Sequence, residues 1–168
     1  MRPMRRLTIA IAGVGLLLMA GMTMADSPHF QFANSSITDT DDLTVSFKEV
    51  GLGTGTTSVN ITLNATGTAV YQCFNNGGNH PKAGNKETVS AALQASGQFP
   101  VRNGQTTASL TLEEPSQGNF ACPSGQTLFL QSVTYSGISV SDASANSLGA
   151  TPDPISTGPI HVQEPDSD

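Results

Sequence analysis

From residue 43 onward apolar side chains return at every second position, and this period of two is what most narrows the folds open to the chain. Successive side chains of a strand point to opposite faces, so such alternation writes one buried face and one wet face. Leu43, Val45 and Phe47 share a phase, closed by the turn glycines Gly51, Gly53 and Gly55. A longer run follows through Val59, Ile61, Leu63, Ala65, Ala69, Tyr71 and Cys73. Val89, Ala91, Leu93 and Ala95 form the next, continued by Phe99 and Val101, and then come Ala108, Leu110 and Leu112. Phe120 with Cys122, Leu128 with Leu130, and Val133 with Tyr135 extend the rhythm. Ile138 and Val140 resume it in the opposite phase after Ser136-Gly137, which predicts a β-bulge at that glycine. Past residue 25 no window carries a helical stripe, and Thr, Ser, Val and Gly crowd out the strong helix formers.

The strongest local turn signal is Arg102-Asn103-Gly104-Gln105. Asn-Gly tolerates positive φ at both central positions of a two-residue hairpin loop. This predicts a hairpin in which Val101 faces Thr106 and Phe99 faces Ala108, both pairs on the apolar phase. About eight short antiparallel strands joined by polar turns indicate an all-β, two-sheet Greek-key sandwich of immunoglobulin-like architecture. A small β-barrel is the alternative that pattern alone does not separate from it. From Asp142 the rhythm gives way to Ser, Asn, Asp and Pro, so residues 142–168 read as a Pro-rich acidic tail, with Ile160 and Val162 as a candidate last edge strand.

Residues 1–25 have the form of a secretory signal peptide: Arg2, Arg5 and Arg6, then an apolar run from Leu7 to Ala20, then Thr23-Met24-Ala25 before a cut at Asp26. This leaves a sandwich domain at 26–141, secreted and with no membrane attachment after cleavage. All five Met and three of the seven basic residues depart with the leader. Lys48, Lys82, Lys86 and Arg102 remain against 13 carboxylates, a formal charge of −9. Nucleic acid needs a basic footprint, so that class of partner is excluded.

Cys73 and Cys122 are the only cysteines. In an exported chain an even pair reads as a structural disulfide, here between two inward-facing strands of opposing layers. The immunoglobulin likeness is architectural only: no Trp is present to pack on the bond, and Phe stands at 120, where a corner Tyr would be. Several segments together resemble those of small secreted bacterial proteins of uncharacterised function: Val45-Ser46-Phe47-Lys48-Glu49 with Gly51-Leu52-Gly53, Cys73-Phe74-Asn75-Asn76-Gly77-Gly78, Asn85-Lys86, and Cys122-Pro123-Ser124-Gly125-Gln126. The resemblance spans residues 30–141. It implies a secreted single domain and transfers no site.

Catalytic chemistry finds little to use. His29, His80 and His161 are the bases available near neutral pH, and neither a Gly-x-Ser-x-Gly elbow nor an HExxH helix occurs. Glu49, Glu87, Glu113 and Glu114 could supply the two carboxylates of a glycosidase in number only. Asp39, Asp41 and Asp42 precede a strand and form a candidate calcium site, without the Gly and distal Glu of an EF-hand. No other cofactor is implied. The candidate ligand-binding loop holds Asn75, Asn76, Asn79, His80, Lys82, Asn85 and Lys86, whose amides and cations suit sugar hydroxyls or peptide groups. Asn34, Asn60 and Asn64 lie in Asn-x-Ser/Thr sequons, which carry glycans only in a eukaryotic secretory pathway. The expected function is a secreted, non-catalytic sandwich that binds an extracellular protein or glycan or serves as an extracellular structural component. A carbohydrate-binding module and a hydrolase with Asp/Glu chemistry are the alternatives. An absent Trp and a mere two Tyr count against the module.

Overall fold

The computed structural model describes residues 27–75 and 85–160. The expected leader at 1–25 lies outside them. Eight strands follow in chain order: β1 (His29–Ile37), β2 (Leu43–Val50), β3 (Ser58–Asn75), β4 (Lys86–Pro100), β5 (Gln105–Leu112), β6 (Gln126–Asp142), β7 (Ser147–Gly149) and β8 (Ile155–Ser156). They build two antiparallel sheets, one in the order β1-β2-β5 and one in the order β4-β3-β6-β7, with β8 also paired to β6. The sheets stay separate, so the chain is a layered all-β body and not a closed barrel.

The alternation translates directly into packing. Along β3 every second residue from Ile61 to Cys73 is buried, and along β2 Leu43, Val45 and Phe47 lose all exposure. Val133, Tyr135, Ile138 and Val140 of β6 complete the centre of the core. The bulge at Gly137 is present: Thr66 pairs with Ser136 but Asn64 with Ser139, and Gly137 adopts φ 62°. A second irregularity lies between the Val70–Ser132 and Tyr71–Leu130 pairs, where Gln131 is the extra residue. It moves the inward phase from Leu128 and Leu130 to Val133 and Tyr135.

The expected β4–β5 hairpin forms only its turn. Asn103 (φ 52°) and Gly104 (φ 69°) take the positive angles of a type I′ loop. The Arg102 N–H donates to the Gln105 carbonyl at 2.9 Å and the Gln105 N–H donates back at 3.1 Å. Beyond that bridge the strands part: Phe99 pairs with Val59 and Ala108 with Phe47, so neither Val101–Thr106 nor Phe99–Ala108 becomes a ladder pair. Both strands have an apolar face, and opposing layers bury the two faces against each other where a flat hairpin would leave them side by side. Phe99 thereby meets Phe47 edge-on across the layers, centroids 5.3 Å apart at 80°.

The disulfide forms, with its Cα atoms 5.6 Å apart, but it joins different elements from those expected. Phe120 and Cys122 lie in no strand; they belong to the segment between β5 and β6, bracketed by Pro115 and Pro123. The bond therefore fastens the connection from one sheet to the other onto the end of β3, and does not brace two strands of opposing layers.

The two sides of the sandwich are closed unequally. On one side the chain after β6 is stitched across both sheets. The Ser35 N–H donates to the Thr151 carbonyl and the Thr151 N–H to the Ala33 carbonyl, each at 3.0 Å, while Ser35 Oγ donates to the Pro152 carbonyl. The Asp153 carboxylate accepts from the Gly137 and Ile138 N–H groups at 3.0 and 2.9 Å. The expected last strand is thus placed earlier than Ile160 and Val162: β7 and β8 hold the edge, Ile160 lies beyond β8, and Val162 is outside the described residues. On the other side β4 and β5 diverge, and no strand among the described residues lies between them.

A candidate binding groove on the open side

Sheet size explains the opening. The three-stranded sheet ends at β5, which reaches β4 only toward the C-terminal part of that strand, where Leu110 lies over Gly97, and no further strand among the described residues covers Val89 to Ala95. On β4 the inward residues Val89, Ala91, Leu93, Ala95, Gly97 and Phe99 are all half-exposed, whereas the β3 partners of the first five, Ala69, Gly67, Ala65, Leu63 and Ile61, are buried. Ala108 and Leu110 of β5 are half-exposed for the same reason. The result is a groove of about 760 Å³ with Val89, Ala91, Leu93 and Ala95 as its floor and Thr111 to Ser116 as its far wall. That volume falls within the range of ligand sites.

The wall is held in place by close packing. Pro115 is buried over Gly67, where an added Cβ would stand 2.8 Å from Pro115 Cγ and 2.7 Å from Leu93 Cδ1. The Tyr71 hydroxyl donates to the Pro115 carbonyl at 2.6 Å. Burial and the nearby Glu114 carboxylate both push the Tyr71 phenol up, so it keeps the proton it donates. Glu113 and Glu114 are the charged side chains in the lining, which contains no cation among the described residues. In sequence this pair offers carboxylates in number only; its place on the groove wall depends on where β4 lies.

The amide-rich loop is described only at its base. Asn75, Asn85 and Lys86 are seen, while Asn76, Asn79, His80 and Lys82 lie outside the described residues. Asn85 Nδ2 donates to Gln126 Oε1, and Gln126 Nε2 donates to Asn75 Oδ1, each at 2.7 Å. Gln126 was missed from sequence, although it stands four residues past Cys122 and the disulfide brings it to this end of β3. Nearby, Phe74 and Phe129 meet edge-on at 5.7 Å, and Phe129 is the more exposed of the two.

The acidic turn does not gather its carboxylates. Thr38 Oγ1 accepts from the Thr40 and Asp42 N–H groups, the Thr40 hydroxyl donates to Asp42 Oδ2 at 2.8 Å, and the Tyr135 hydroxyl donates to the Asp41 carbonyl. No group of three or more His, Cys, Asp or Glu placed to hold a metal ion occurs among the described residues. His29 is exposed, its Nδ1 2.9 Å from the Ser27 carbonyl oxygen, and His80 and His161 lie outside the described residues.

One carboxyl stands out for a different reason. Glu49 continues the inward phase of Leu43, Val45 and Phe47, has no exposure, and neither of its oxygens has a hydrogen-bond partner of good geometry. Its neighbour Asp142 is well served, accepting from the Ser144 and Asn146 N–H groups and from Asn146 Nδ2 at 2.7–2.9 Å. Burial raises Asp142, but the hydrogen bonds from Asn146, Glu49 and Ser144 outweigh it and hold the carboxyl below its ordinary value. Glu49 moves the other way: burial first, then proton sharing with Asp142 and repulsion from it, push it up to about 7.

Searches against protein-family models, curated proteins and solved structures find no match to this chain.

Proposed function

We propose that this protein is a secreted, non-catalytic binding module of immunoglobulin-like architecture, which engages an extracellular macromolecule through the groove between β4 and β5. The observation that carries the reading is the half-exposed apolar stretch Val89 to Ala95 of β4, which floors an open groove. Contiguous apolar surface rimmed by polar groups marks interaction sites more often than it marks ordinary surface. The test is to immobilise the protein and its Ala91→Trp variant, which fills the groove floor. Labelled extracellular protein and glycan fractions are then passed over both. Retention that the variant loses supports the reading; equal retention by both overturns it.

A second reading rests on the outer face of the large sheet. There, uncharged side chains pair across strands: Thr62 with Ser96, Thr68 with Ser90, Asn64 with Gln94, Ser58 with Gln98, and Thr134 with Ser156, at 2.8–3.1 Å. Phe74 and Phe129 lie at one end of this face. Amides and hydroxyls beside an aromatic edge suit a polysaccharide. Polysaccharide binding that Phe129→Ala weakens and Ala91→Trp leaves intact would favour this face over the groove.

A further inference from the structure

We infer that the groove accepts an added β-strand: an extended cationic polypeptide segment of another protein, hydrogen-bonded along the free edge of β5 and lying opposite β4. The inference rests on the groove being the binding surface and adds what fills it.

Three independent features point to a strand. First, the smaller sheet ends at β5, which reaches β4 only where Leu110 lies over Gly97, so a strand added beside β5 would extend that sheet over the half-exposed residues Val89 to Ala95. Alternate side chains of such a strand would point into a floor kept shallow by Ala91 and Ala95. Second, the outer edge of β5 lacks the usual protections against pairing. Its sequence, Gln-Thr-Thr-Ala-Ser-Leu-Thr-Leu, contains no charge and no proline, and its register with β2 is free of bulges. Main-chain groups on such an edge bind an extended peptide whatever its sequence, and the flanking pockets supply selectivity. Third, the wall carries Glu113 and Glu114 with no cation in the lining, so a Lys or Arg on the added strand is favoured there. A second copy of the chain is a poor occupant: the described residues hold three cationic side chains against nine acidic ones, and like charge opposes self-association.

The experiment uses a fluorescein-labelled nine-residue peptide of alternating Val and Thr with Lys at both ends. Controls are the same peptide with Glu ends and one with alternate backbone nitrogens methylated. Fluorescence anisotropy measures binding to the full folded domain, and amide hydrogen exchange locates it. The Lys peptide is expected to bind and to slow exchange across Gln105–Leu112, the Glu peptide to bind about tenfold more weakly, and the methylated peptide to lose binding. The double variant Glu113→Gln/Glu114→Gln, whose changes lie on a solvent-facing wall, should bring the two charged peptides to within about threefold of each other. No binding of the Lys peptide up to about 1 mM, a threshold for even weak recognition, overturns the inference. Binding without protection of β5 overturns it too, as does a sedimenting dimer that Ala91→Arg dissociates. Peptide failure combined with retention lost in Ala91→Trp removes strand addition alone and leaves the groove as a binding surface.

Discussion

Replacing Glu49 with Gln should stabilise this protein above neutral pH and leave it unchanged near pH 4. In the folded chain the Glu49 carboxyl titrates at about 7 against 4.5 for the ordinary group, because it is fully buried and faces Asp142. A folded value above the unfolded one means that folding takes up a proton wherever pH lies between the two. The Glu49 contribution is therefore level below about pH 4.5, declines as pH rises toward 7, and is level again beyond. At about 1.4 kcal/mol per pH unit, the loss across this window is about 3 kcal/mol. Glutamine keeps the shape, carries no charge, and offers an N–H donor to the Asp142 carboxylate, so the variant should lose this slope. Guanidinium denaturation of both proteins at intervals from pH 4.5 to 8.5, disulfide intact, measures it. Every other ionisable group is common to both proteins and drops out of the difference. A difference that stays constant with pH would refute the reasoning, as would a variant less stable than the parent at pH 8. Asp142 acts in the opposite direction: its carboxyl lies below its usual value of 3.8, so the stability it contributes is lost as pH falls through that lower range.

Three further outcomes follow from the packing. Reducing or replacing the Cys73–Cys122 bond, with a sequence separation of 49, should cost about 4 kcal/mol in the chain-entropy account, read as a fall in melting temperature with reductant; equal melting curves would contradict it. Gly67→Ala should cost roughly 1–3 kcal/mol, because its methyl meets Leu93 and Pro115 inside contact distance, and Leu93→Ala in the same chain should recover part of the loss if that contact is the cause. Calcium bound by Asp39, Asp41 and Asp42 would raise the melting temperature with added ion and lower it with chelator. The turn engages Asp42 with Thr40, which leads us to expect no shift in either direction.

The face each residue turns toward was written in the alternation of the sequence. Val45, Phe47, Ile61, Leu63, Tyr71, Leu112, Val133, Tyr135, Ile138 and Val140 are buried where their phase placed them, and the phase change at Gly137 marked a real bulge. Glu49 shared that phase too, so its burial was there to be read, but its neighbour Asp142 comes from a strand of the other sheet. The second bulge, at Gln131, carried no Gly to announce it. Asn103-Gly104 determined a turn, and nothing beyond the turn. Period two says which side of a strand is apolar and is silent on which strand lies beside or opposite it. That choice belonged to the whole body, in which β4 pairs with β3 and β5 with β2. The apolar phases of β3 and β4 look alike as sequence, yet one became core and the other the floor of a groove. Burial depends on what stands across the gap, and only the tertiary arrangement left Val89 to Ala95 beyond the reach of the smaller sheet.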